Sequence, residues 1–213
     1  MDKYNSVLQY LYSQLPMYQR QGPKAFKKDL TNILEMDRVL DQPHKKFPTI
    51  HVAGTNGKGS TCHMLAAIFT SAGYKTGLYT SPHFRDFRER IRIDGKLMDK
   101  KAVIDFVDSF KEDMERVKAS FFEISVAMAF WYFAREEVDI AIIETGLGGR
   151  LDSTNIITPE LSLITNIGWD HMNFLGDILP LIAGEKAGII KPDVPVVISE
   201  THPETTPVFI KNA

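Results

Sequence analysis

The chain has 213 residues, 44% of them hydrophobic and 24% charged, enough to bury one sizeable core and short for two full domains. Its formal net charge of −2 provides no overall field for gathering nucleic acid or an anionic membrane, so any anion site is local. Cys62 is the only cysteine, which rules out an intramolecular disulfide, and with no apolar run of membrane-spanning length and no secretory leader a reducing cytoplasm is expected.

In chain order, two amphipathic helical patterns come first, roughly Asp2 to Gln14 and Ala25 to Leu40. They flank Tyr18 to Pro23, where Gly22-Pro23 punctuates a loop. This is a helical preface over about residues 1–45. Phe47 to Ala53 then reads as a strand, followed by a glycine-rich turn and a helix over Thr61 to Ala72 that Gly73 ends. Thr76 to Tyr79 is the next strand and completes a βαβ unit, which implies a parallel sheet.

Arg90-Ile91-Arg92-Ile93, the turn pair Asp94-Gly95 and Lys96-Leu97-Met98 predict a small peripheral β-hairpin. Arg85, Arg88, Arg90 and Arg92 are interleaved with Asp86, Glu89 and Asp94, the pattern of a solvated hairpin rather than a nucleic-acid stripe. Asp99 is placed to cap a helix reaching about Lys118 with Val103, Phe106, Val107 and Phe110 on one face, and Phe121 to Glu136 forms a more apolar helix that packs on the sheet. Val138 to Glu144, Leu161 to Thr165 and Val194 to Ser199 are short apolar strands, with a helix over Asp177 to Gly188 between the last two. Pro203 to Ala213 carries no clear element. The alternation predicts one doubly wound, mostly parallel α/β domain whose core runs over about residues 46–200.

The strongest chemical signal is Gly54-Thr55-Asn56-Gly57-Lys58-Gly59-Ser60 at a strand-to-helix junction. Glycines let the backbone turn its N–H groups toward phosphate oxygens, the helix N-terminus adds partial positive charge, and Lys58 adds a full one. The common P-loop pattern places the hydroxyl directly after the lysine, whereas here Gly59 intervenes before Ser60. Glu144 ends a predicted strand at the sheet edge where ligands of open α/β folds bind, and a carboxylate there suits Mg²⁺. Taken alone, Glu144 reads first as a capping or salt-bridged glutamate, His171 as a structural histidine and Lys186 as a solvated helix lysine. Phe122 divides evenly between a stacking platform and ordinary core.

Gly54 to Ser60 resembles the nucleotide loop of the Mur ligase superfamily, and of its dihydrofolate synthase/folylpolyglutamate synthase branch. Tyr79-Thr80-Ser81-Pro82-His83, Glu144 to Asn155, Asp170-His171 and Glu185 to Lys191 follow in the same order as in that family. The resemblance implies an ATP-dependent ligase that joins L-glutamate to dihydropteroate or folate through an acyl phosphate. It further implies ATP bound at Gly54, Thr55, Asn56, Gly57, Lys58, Gly59 and Ser60, and Mg²⁺ held by Ser81, Glu144, His171 and a carbamylated Lys186. Lys58, Lys186 and His171 would serve catalysis, and Phe121, Phe122, Glu123, Leu151, Asp152 and Ser153 would line the pterin site. A monomer is expected, with small-molecule substrates and no nucleic-acid or membrane partner. The family's second α/β domain has no counterpart here, so the expectation is a fragment with little activity alone. The alternatives are another Mur-type amide ligase, against which Ser81 to His83 and Leu147 to Arg150 argue, and a non-catalytic ATP-binding module.

Overall fold

The computed structural model describes residues 2–15 and 29–213. The loop expected at Tyr18 to Pro23 and the start of the second helix at Ala25 lie outside the described residues. Seven strands form one sheet: β1 Thr49–Ala53, β2 Thr76–Tyr79, β3 Ile91–Ile93, β4 Lys96–Leu97, β5 Ile140–Glu144, β6 Leu161–Ile164 and β7 Val196–Ile198. Their order is β4-β3-β2-β5-β1-β6-β7. The five strands from β2 to β7 in that order run parallel, and β3 and β4 join antiparallel.

The helices are α1 Lys3–Gln14, α2 Thr31–Val39, α3 Lys58–Ser71, α4 Lys100–Val117, α5 Phe121–Arg135, the single turn α6 Met172–Leu175, α7 Leu179–Ala187 and α8 Thr206–Asn212. On one face Ile50, Val52, Leu78, Ile140 and Ile142 meet Cys62, Leu65, Ala66 and Phe69 of α3. On the other, Tyr79, Ala141 and Ile143 pack against α5, which α1, α2 and α4 cover in turn. Burial on all sides explains why α5 is apolar around its whole circumference rather than along one stripe. The central strands β1 and β5 are buried at every position, as expected of parallel strands sandwiched between helices. Among the described residues no helix is long and apolar enough to cross a membrane.

Several expectations need correction. The hairpin, the Asp99 cap, the start of the glycine-loop helix, the tail and the arginines are the ones concerned; the βαβ unit itself holds, with β5 lying between its two parallel strands β1 and β2. The hairpin is no appendage: β3 pairs with β2 and extends the main sheet, with Asp94 (φ 50°) and Gly95 (φ 74°) in its turn. Asp99 stands at the N-terminus of α4 but its side chain makes no capping hydrogen bond. Helix α3 begins three residues early, at Lys58, because Gly57 at φ 81° supplies the left-handed turn an L-residue resists. The tail folds as α8, whose Phe209 is buried. The arginines part company: Arg85 is exposed, Arg88 pairs with Asp86 at 2.7 Å, and Arg90 is buried.

Candidate functional site

Four loops leave the carboxyl ends of the adjacent strands β2, β5, β1 and β6, the edge at which open α/β sheets bind ligands. The loop after β1 is the glycine-rich segment. Its Thr55 hydroxyl donates to the Gly168 carbonyl at 3.2 Å and accepts the Gly168 N–H at 2.9 Å. The Asn56 N–H donates to Asn166 Oδ1 at 2.9 Å, and the Thr165 hydroxyl donates to the Asn56 carbonyl at 2.7 Å. The loops after β1 and β6 are thus strapped together. Asn56, Gly57 and Ser60 remain exposed at the mouth of the turn, with Lys58 and Gly59 half-buried.

Two ammonium groups from distant helices converge on this loop. Lys58 Nζ donates to the carbonyls of Gly54 (3.0 Å) and Thr55 (3.2 Å), and Lys186 Nζ, from α7, donates to the same Gly54 carbonyl at 2.9 Å. Lys186 is 4% exposed. Burial, with the Lys58 charge adding to it, pushes its amine down to about 8, because a charged form stripped of water and placed beside another cation is disfavoured.

Glu144 closes β5 and is 4% exposed. Its Oε2 accepts the Ser81 N–H at 3.0 Å, and a Cβ built on Gly59 would stand 3.7 Å from its Oε1, so the glycine-rich loop lies directly over the carboxylate. Burial holds its pKa above the ordinary carboxylate value, while the Ser81 N–H and Lys58 act in the opposite direction. The Ser81–Pro82 peptide is cis. His171 is exposed, in the left-handed region at φ 49°. Its N–H donates to Asp170 Oδ1 at 2.8 Å and its Nε2 lies 3.4 Å from Asp170 Oδ2. Among the described residues no three His, Cys, Asp or Glu side chains gather as a metal site.

On the far side of Glu144, Asp152 organises the loop after β5. Its carboxylate, 3% exposed, accepts the N–H groups of Gly146 and Leu147 (2.8 Å each) and of Thr154 (3.0 Å), together with the Thr154 hydroxyl. Ser153 is buried beside it and Leu151 half-buried. The Phe122 ring lies where a Cβ at Gly146 would come within 2.4 Å of it, so only glycine lets the loop approach the ring. Phe121 is buried against Tyr12 and Phe87. Glu123 is occupied at the start of α5: it accepts the Ser120 N–H while Ser120 Oγ accepts the Glu123 N–H, a capping box, and Asn32 Nδ2 donates to it at 3.3 Å.

One buried group went unnoticed in the sequence. His51, in the middle of β1 and wholly buried, has its Nε2 2.9 Å from Thr154 Oγ1. A histidine inside a five-residue apolar strand carries no motif that would have flagged it.

This arrangement of a lysine-bearing glycine loop, a strand-end glutamate and a buried helix lysine defines a class. The Mur ligase middle domain profile matches residues 52–202. Within that class the chain belongs to the dihydrofolate synthase/folylpolyglutamate synthase family. It is 44% identical over 190 residues to the dihydrofolate synthase/folylpolyglutamate synthase of Bacillus subtilis, covering 86% of this chain and 44% of that protein. It is 38% identical over 205 residues to the folylpolyglutamate synthase of Lacticaseibacillus casei, covering 92% of this chain and 48% of that protein. A solved FPGS–AMPPCP–folate complex superposes with a TM-score of 0.90 at 36% identity, covering 98% of this chain and 51% of that one. The chain therefore spans about half the length of the curated relatives it matches.

Proposed function

We propose that the protein carrying this chain is an ATP-dependent ligase that forms an amide between L-glutamate and the carboxylate of dihydropteroate or a folate. The observation that carries this reading is the convergence of Lys58 and Lys186 on the Gly54 carbonyl, beside the buried carboxylate of Glu144. Cations at a helix N-terminus suit a polyphosphate, and a nearby carboxylate suits a hard cation bridging protein and phosphate. A solved relative described as an FPGS–AMPPCP–folate complex supports a nucleotide and a folate as ligands.

In this reading the acceptor carboxylate oxygen attacks the γ-phosphorus of ATP, ADP leaves, and the resulting acyl phosphate is attacked by the glutamate amine. The C–O bond to phosphate breaks as the C–N bond forms, and the amine loses its proton. The N–H groups of the 54–60 loop orient the phosphates, and Lys58 offsets the charge of the transferring phosphoryl group. The buried Glu144 carboxylate, its pKa raised by lost hydration, fits a site completed by a cation. Ser81, Glu144, His171 and Lys186 as its carbamate would hold Mg²⁺, which when bound would neutralise phosphate charge. Carbamate formation joins the neutral Lys186 amine to CO₂ with release of one proton, and a depressed amine pKa favours it. Phe122, Leu151, Asp152 and Ser153 would border the pterin, with Phe121 and Glu123 behind them.

The test is calorimetric titration with Mg·ATP, repeated with dihydropteroate present and with Lys58→Ala. The expected outcome is binding that Lys58→Ala abolishes and dihydropteroate strengthens. Nucleotide binding indifferent to both changes would refute the ligase reading.

A further inference from the structure

Arg90 ends the 3-10 turn Phe87–Arg90 just before β3 and is 5% exposed. Its carbonyl accepts the Thr80 N–H at 3.0 Å, which ties it to the chain leading into Ser81 and so to Glu144. Its Nε–H donates to His83 Nδ1 at 2.8 Å, and its Cζ lies 5.2 Å from the Phe121 ring centroid. The guanidinium also approaches the Tyr79 hydroxyl and acts electrostatically on Glu144. The neighbouring Arg88 is neutralised by Asp86. Arg90, among the described residues, has no carboxylate partner.

A buried guanidinium surrounded by a neutral imidazole, a phenol hydroxyl and an aromatic face, with no carboxylate to pair with, is expensive to maintain. Bringing an acceptor carboxylate up to a polyphosphate sets two anions together, and a fixed cation with a planar donor fork offsets that repulsion while orienting the carboxylate. We infer that Arg90 binds the anionic end of the acceptor, the carboxylate that is to be activated, and selects it over a neutral group at the same position. This rests on the ligase reading above.

The test compares dihydropteroate with its carboxamide, by calorimetry with Mg·ATP present, on the wild-type protein, Arg90→Gln and Arg90→Lys. Wild type should prefer the carboxylate by about tenfold to a hundredfold, the range of a charge-assisted hydrogen bond. Arg90→Gln should abolish the preference and Arg90→Lys should retain part of it, with the carboxamide bound equally well by all three. That last equality is what mere structural damage would not produce. Should Arg90→Gln fail to fold, Arg90→Lys carries the test alone, with a severalfold reduced preference expected. An undiminished preference in the variants, or equal weakening of both ligands, overturns the inference. Wild type that binds Mg·ATP but neither acceptor overturns the folate reading itself, and the role of Arg90 with it.

Discussion

His51 should make the fold sensitive to mild acid. The Thr154 hydroxyl donates to Asp152 Oδ1, so it accepts from His51, whose Nε2 therefore carries the proton. Nδ1 is buried without a partner. Charging the ring would place a second N–H where no acceptor waits. Burial, with a contribution from Lys191, pushes the imidazole down to about 3 from an ordinary 6.5. Since the folded-state value is depressed, the unfolded chain takes up the proton first as pH falls. The stability that neutral His51 contributes is complete above about pH 6.5 and is lost progressively toward about pH 3. At roughly 1.4 kcal/mol per pH unit, going from about pH 7 to about pH 5 removes about 2 kcal/mol. His63 and His83 are also depressed and act in the same direction, whereas the raised values of Glu144 and Asp152 oppose them. His51→Gln isolates the effect, because its amide N–H can still reach Thr154 while it has no proton to gain. In urea unfolding at the two pH values, the wild type should lose about 2 kcal/mol more than His51→Gln, a midpoint difference of about 1 M. Parallel losses in the two proteins would refute the reasoning.

Two further outcomes are expected. Glu123→Ala, which leaves the Ser120 N–H unpaired at the start of α5, should cost about 1 kcal/mol in the same unfolding assay, and Glu123→Gln, which preserves the capping box, much less. An unchanged Glu123→Ala midpoint would mean the cap contributes nothing. With its amine near 8, Lys186 is about one-tenth neutral at pH 7, hundreds of times more than an ordinary lysine. Incubation with ¹³C-bicarbonate should therefore give a carbamate carbon signal that grows as pH rises through about 8 and is absent from Lys186→Arg. No difference between the two proteins would count against the modification.

Residues whose role is local were legible in the sequence. Gly57 and Lys58 announce a tight strand-to-helix turn that carries a cation, because backbone freedom and charge are properties of the residues themselves, and the apolar runs of β1 and β5 announce buried parallel strands for the same reason. What stayed hidden depends on partners distant in the chain. Arg90 looks like a member of a solvated, charge-interleaved hairpin, since nothing local reveals that Thr80, His83 and Phe121 will enclose it. The order of the sheet, with β5 between β1 and β2, is invisible to periodicity, because either neighbour would present the same apolar faces. The tail gave no sign of α8 because Phe209 finds its partners, Ala183 and Ile198 among them, on other elements.

The same distance dependence explains why the site is assembled from buried charges rather than displayed ones. Glu144, Asp152, Arg90 and Lys186 are each at most 5% exposed, and each loses hydration that a single hydrogen bond does not restore. Asp152 is the exception: three backbone N–H groups and a hydroxyl satisfy it, so it acts as a fixed anchor joining the loop after β5 to His51 on β1. Glu144, Arg90 and Lys186 are held in place but incompletely compensated, by a backbone N–H, an imidazole and a carbonyl respectively. Charges fixed at neighbouring strand ends and left incompletely satisfied gain free energy when a ligand of complementary charge enters. In the proposed ligase that ligand would be a metal-bridged polyphosphate next to a carboxylate.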